Sequence, residues 1–202
     1  RRARVSGGAG GSGGRVAVPR VAVLLRGINV GSSKRVAMAD LRAALEEDGL
    51  GGTRTILQTG NVVVDAGRRA APAVARRVGD VASRVAGGDV GALGVTAAVL
   101  RAALDDNPLW DEGRDGARMV TAFSSARGTP VEEPRRGAER LGGGTAHIAA
   151  DRGGVGLAHQ WCPDGVSTAP PLEDLVAFPD GTVVTVRNRN TIRKILAALE
   201  DG

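Results

Sequence analysis

Thr53-Arg54-Thr55-Ile56-Leu57-Gln58-Thr59-Gly60-Asn61-Val62-Val63-Val64-Asp65 is the stretch that decides the fold. Two β-rich runs, Thr53–Gln58 and Asn61–Asp65, are separated only by Thr59-Gly60. Two residues with a glycine between two strands read as a hairpin turn. Upstream, Met38, Leu41 and Leu45 fall at i, i+3, i+7 and predict an amphipathic helix closed by Gly49. Downstream, Val74, Val78, Val81 and Val85 predict a second helix that stops at Gly87-Gly88. Val21–Arg26 reads as a buried strand before the first helix, and Val90–Val95 as a strand after the second. Thr96 caps an added short helix carrying Val99, Leu100, Ala103 and Leu104, which ends at Asn107-Pro108. The order is therefore β-α-β-β-α-β plus one helix, the split β-α-β arrangement of ferredoxin-like folds.

The rest of the chain follows the same grammar. Arg118–Ser124 reads as a strand, and Thr129-Pro130 as the opening of a helix that runs to Leu141 and breaks at Gly142-Gly143-Gly144. Thr145–Ala150 and Val155–Trp161 read as strands joined by Asp151-Arg152-Gly153-Gly154. Leu172, Leu175 and Val176 mark a short helix, Thr182–Val186 the last strand, and Asn190 the cap of a final helix with Ile192, Ile195, Leu196 and Leu199. The expectation is an α+β fold of two tandem ferredoxin-like halves with mainly antiparallel sheets. The halves span residues 18–112 and 117–202, with the junction at Gly113–Gly116. Such a sheet leaves one face uncovered, so either each half covers the other or the sheets merge. Residues 1–17, crowded with Gly and Arg and nearly free of groups to bury, read as a disordered tail.

Composition narrows the function. Only 2% of the 202 residues are aromatic and none is Tyr, so the core must be aliphatic and offers little for stacking a ring. The formal charge of +5 invites a polyanion reading. Residues 1–20 hold Arg1, Arg2, Arg4, Arg15 and Arg20 and no acid; without those five, 22 basic residues face 22 acidic ones. The body is thus formally neutral. A lone cysteine, Cys162, excludes an intramolecular disulfide and fits a reducing, cytoplasmic setting. No apolar run approaches a membrane span, and Pro19 and Arg20 interrupt what would be a signal-peptide core.

The segments VAVLLRGINVGSSKRVAMADLRAALEEDGL, RTILQTGNVVV, DDNPLW and TVVTVRNRNTIRKIL resemble a bacterial family catalogued as a domain of unknown function, DUF1697. The RGINVG and Q-[ST]-GNVV elements stand at that family's spacing, and the resemblance spans roughly residues 19–199. It implies a cytosolic α+β protein and no established activity, substrate or cofactor. The family's polar positions carry over to Arg26, Asn29, Gln58, Gly60, Asn61, Arg187, Asn188, Asn190 and Thr191. Arg189 stands where a Trp is usual, Val186 where a second Thr is usual, and Thr59 where Ser is commoner. The lost Trp removes an aromatic wall from that loop.

Two polar loops stand out at the ends of apolar strands. One carries Arg26, Asn29, Lys34 and Arg35; the other is Arg187-Asn188-Arg189-Asn190-Thr191. Neither is a Walker A motif, since a G-x-x-x-x-G-K pattern starting at Gly27 would need Gly at 32 and Lys at 33, and no G-x-G-x-x-G follows a strand. Arg26 and Arg187 can offer planar donor forks to a carboxylate or phosphate, with Lys34 adding charge. Asn29, Gln58, Asn61, Asn188 and Asn190 can orient a ligand through their amides. The expected partner is a small phosphate- or carboxylate-bearing anion. The competing structural account has the Asn and Gly residues setting turns and both arginines pairing with internal carboxylates.

Two other functional classes stay in view. One is nucleic-acid binding, which needs aromatics on the central strands, where Phe123 is the sole candidate and reads as core. The other is a structural or regulatory module whose open sheet face pairs with another chain. His147, His159 and Cys162 lack the spacing of a metal site. Ser32, Ser33, Ser124, Ser125 and Ser167 lack a nucleophile elbow. No metal and no cofactor is expected, and neither an enzymatic reaction nor an oligomeric state follows from the sequence.

Overall fold

The computed structural model describes residues 19–29, 35–131, 146–149 and 151–201. The N-terminal tail, Lys34, the helix predicted to reach Leu141 and the triple-glycine break lie outside the described residues. The first half contains β1 (Arg20–Leu25), α1 (Met38–Glu47), β2 (Arg54–Ile56), β3 (Asn61–Asp65), α2 (Ala71–Ala86), β4 (Ala92–Val95) and α3 (Ala97–Asp105). The second contains β5 (Met119–Ser124), β6 (Thr129–Pro130), β7 (Ala146–Ile148), β8 (Gly156–Trp161), β9 (Val176–Ala177), β10 (Val184–Asn188) and α4 (Arg189–Glu200). The fold is mixed α+β, with mainly antiparallel sheets.

The first four-stranded sheet has the order β2-β3-β1-β4, and the second β10-β5-β8-β7. Every pairing in both is antiparallel. The continuous apolar run of β1 follows from burial on both faces. Val21, Val23 and Leu25 point into a cluster with Met38, Leu41 and Leu45 of α1 and Val74, Val78 and Val81 of α2. Ala22 and Leu24 point the other way, toward Leu100 of α3, Ile192 and Ile195 of α4, and Phe123 and Leu157 of the second sheet. The sheets therefore do not merge. Helices α3 and α4 fill the layer between them, which settles the two arrangements left open by the sequence. The far face of the second sheet, with Ala122 and Ala158, is covered by Leu172 and Val176.

Several local expectations are corrected. Thr129-Pro130 does not open a helix: it forms β6, paired with β9 through Thr129↔Ala177 and Pro130↔Val176. Gly128 permits this approach, because a Cβ there would lie 2.5 Å from Val176 Cγ1. Proline is tolerated in so short an edge strand, where its missing N–H is not required. Val176 consequently belongs to a strand, and the short helix before it shrinks to a 3₁₀ turn over Leu172–Asp174. No long helix links β8 to β10, unlike the first half, where α2 links β3 to β4. The β2–β3 turn is longer than two residues: Ile56 pairs directly with Asn61, leaving Leu57–Gly60 as the loop. Leu57 and Gly60 both take positive φ, 61° and 73°. The Asn61 amide holds this loop by donating to the Ile56 carbonyl (2.9 Å) and the Thr59 hydroxyl (3.1 Å).

Helix α2 lies unusually close to β4. A Cβ on Gly94 would fall 2.2 Å from the Ala71 carbonyl oxygen, and one on Gly79 3.0 Å from Ala92 Cβ. The first contact is with backbone, which cannot rotate away. Gly94→Ala is expected to lower stability by about 1–3 kcal/mol through overpacking, read as a reduced urea midpoint. An unchanged midpoint would show that α2 shifts freely on the sheet.

Candidate functional site

The strand end at Leu25 and the strand end at Asn188 meet in the folded chain. Arg26, Gly27, Ile28 and Thr59 from the first half line one hollow of about 370 Å³ with Thr185, Arg187, Asn188 and Thr191 from the second. The two arginine-bearing connections thus converge, although far apart in the chain. Their guanidinium groups differ in state.

Arg187 is partly buried and fully engaged. Its Nε donates to Asn61 Oδ1. Its Nη1 donates to Thr185 Oγ1 and the Val186 carbonyl, both at 2.8 Å. Its Nη2 donates to the carbonyls of Leu25 (2.9 Å) and Thr59 (3.1 Å). These bonds account for all five guanidinium N–H groups. Every acceptor is a neutral oxygen, so the expectation of an internal carboxylate partner is corrected for Arg187. Desolvation pushes its pKa down to about 10. Arg187 therefore brings positive charge to the hollow but no spare donor.

Arg26 is the complement. Its side chain is exposed and forms no ion pair or hydrogen bond among the described residues. Its backbone N–H donates to the Gly91 carbonyl at 2.8 Å, extending the β1–β4 ladder by one step. Its stem lies over Gly91, where a built Cβ would sit 3.5 Å from Arg26 Cβ. Arg26 also lines an adjoining hollow of about 540 Å³ with Asp89, Gly91, Gly181 and Thr182.

The amides are mostly structural. Asn29, at φ 56°, donates to the carbonyls of Val36 and Gln58 (both 2.9 Å) and accepts the Val36 N–H. Asn61 is fully buried and splits its amide between the turn and Arg187. Asn188, rather than Asn190, caps α4, accepting the Thr191 N–H at 2.9 Å. The reason is that β10 pairs with β5 as far as Asn188↔Val120, so the helix starts one residue later. Asn190 is exposed in the first turn of α4, beside Gly116, and Gln58 is exposed in the β2–β3 turn. Neither lines the hollow. Thr185 and Gly91 are the participants that sequence reasoning missed; a glycine beside a strand was the available signal for the second, since it marks close backbone approach.

Where the family's Trp is usual, Arg189 stacks over Trp110 with its guanidinium carbon 4.0 Å from the ring centroid and donates to the Leu104 carbonyl at 2.7 Å. The aromatic surface at this loop thus comes from the segment that follows α3, and desolvation lowers the Arg189 pKa. Phe123 is fully buried and presents no face for a base. His159 is buried and shares a hydrogen bond of 2.9 Å with Thr121, while its strand position is paired with that of His147. Cys162 is buried, and burial raises its thiol pKa. Among the described residues no cluster of His, Cys, Asp and Glu is placed to hold a metal, and no helix is long and apolar enough to cross a membrane.

Fold and site together define a mixed α+β protein with an arginine-lined hollow between two antiparallel sheets. The chain belongs to the DUF1697 family: the family model, described as a protein of unknown function, matches residues 18–149. It is also similar to a solved structure, the conserved bacterial protein SP0830 from Streptococcus pneumoniae, with a TM-score of 0.57 and 22% identity over 89% of this chain and 98% of that one. At that identity the likeness concerns the fold. Among curated proteins, none matches this chain.

Proposed function

We propose that the protein binds a small phosphate- or carboxylate-bearing ligand in the hollow between Arg26, Arg187 and the start of α4. The observation that carries this reading is the convergence of both arginines on one hollow, with neither guanidinium in an ion pair among the described residues. Arg26 supplies the free donor fork and Arg187 the fixed charge. Asn188 and Thr191 set the first turn of α4, whose dipole favours an anion. The identical strand order of the two sheets supports reading the scaffold as two tandem ferredoxin-like halves, 18–112 and 117–202, with the hollow on their seam. A single buried cysteine supports a cytoplasmic setting. Nucleic-acid binding is the less favoured reading, because the central strand's one aromatic is enclosed.

The test is calorimetric titration of wild type and Arg26→Gln with inorganic phosphate and a panel of phosphorylated and carboxylated metabolites. Arg26→Gln is expected to weaken the tightest ligand by about 10- to 100-fold, as for a lost charge-assisted hydrogen bond. Since Arg26 is exposed and makes no ion pair or side-chain hydrogen bond among the described residues, folding should be unchanged. Absence of saturable binding across the panel, or equal affinity in both proteins, ends the anion reading.

A further inference from the structure

We propose a second binding site, for a small uncharged polyol, in the cavity between α2, β4 and the β7–β8 turn. This inference does not rest on the anion reading. The cavity measures about 440 Å³ and is built by both halves: Ala71, Ala75 and Ser83 from α2 face Ser125 and Val155 across it. That is within the range of small-molecule pockets, roughly 300–1,000 Å³. Two glycines keep its mouth free. Gly153 and Gly154, at φ +62° and +80°, carry no side chain into it, and a Cβ on Gly154 would meet nothing within 4 Å. The Asp151 carboxylate fixes their turn by accepting the Gly154 N–H at 2.8 Å.

The chemistry of the walls selects the ligand. Three hydroxyls line the cavity: Ser83, Thr96 and Ser125. Each already accepts a backbone N–H, from Val90 (3.0 Å), Val99 (3.4 Å) and Val183 (3.0 Å) respectively. None donates its own proton to a protein acceptor among the described residues, so each has an O–H to give. Asp80 at the rim only accepts. A ligand hydroxyl both donates and accepts, so a polyol satisfies both kinds of wall group at once. Anions are disfavoured beside the exposed Asp80 carboxylate at the rim. Planar aromatic ligands find no aromatic side chain to stack on, whereas C–H faces can lie on Ala71, Ala75 and Val99.

The experiment follows backbone amide shifts of the full chain during titration with glycerol, D-ribose and myo-inositol, with acetate as the charged control. Saturable shifts at Ser83, Val90 and Ser125 are expected with at least one polyol and not with acetate. The Ser83→Ala, Ser125→Ala double variant should weaken that binding by roughly threefold to tenfold for each hydroxyl lost. Asp80→Asn, a surface change, provides a second variant that keeps the fold and should also weaken it. Arg26→Gln, in the neighbouring hollow, should leave it unaltered. No saturable shift with any polyol, stronger binding of acetate, or equal affinity in wild type and Asp80→Asn would overturn the proposal.

Discussion

Arg187→Ala is expected to lower unfolding stability by about 2–4 kcal/mol, because it strands several buried acceptors at once. The guanidinium joins β10 to the carbonyls of Leu25 and Thr59 and to Asn61, so one side chain ties the second sheet to the first. One of its partners, Asn61, is fully buried. Arg187→Lys should recover only part of the loss, since an ammonium has three donors and no planar fork. The pH dependence has a definite sign. The pKa of Arg187 is lowered to about 10 in the folded protein, so folding disfavours its charged form. That desolvation cost is fully present below about 10 and is relieved only as pH rises from there toward the unfolded value. The deficit of Arg187→Ala relative to wild type should therefore be flat between pH 6 and 9. Urea melts of both proteins across that range are the measurement; equal midpoints, or a deficit that varies steeply inside the range, would refute the clip.

Phe123→Ala should be still more damaging, at about 3–5 kcal/mol, the usual cost of emptying an aromatic core position. Phe123 is fully buried and lies in the cluster that joins both sheets to α3 and α4, opposite Leu157 on β8. Only two phenylalanines occur in the chain, so no other ring fills this layer. For a chain of this length each kcal/mol moves the melting temperature by roughly 2–4 °C, and the loss should be plain in a thermal melt. Phe123→Leu, which keeps much of the volume, should cost far less. Similar melting of Phe123→Ala and wild type would mean that the layer between the sheets is not one packed core.

Much of the first half was legible from periodicity. Val74, Val78 and Val81 on α2, and the apolar run of β1, report their own burial because neighbours on one face repeat with the element's period. The second half was harder to read. Pro130 looks like a helix start, yet its surroundings are decided by Gly128 and Val176, nearly fifty residues apart. Cap assignment at α4 failed for a related reason: both Asn188 and Asn190 can cap, and the choice depends on how far β10 pairs with β5. For the site, the sequence pointed to Arg26 and Arg187 but could not divide the work between them. Asn29 and Asn61 spend their amides on loop and turn, whereas Asn188 caps α4 through its oxygen and still lines the hollow.

By itself the sequence determined the kind and order of the first half's elements, the aliphatic character of the core and the two polar loops at strand ends. Those are properties of residues a few positions apart, where backbone propensity and side-chain period act directly. Only the tertiary structure decided that α3 and α4 lie between the sheets, and that β10 carries Arg187 to the carbonyls of Leu25 and Thr59 while Arg26 stays exposed. Such partners are set by which apolar faces bury one another across more than a hundred residues, and local patterning does not record that choice.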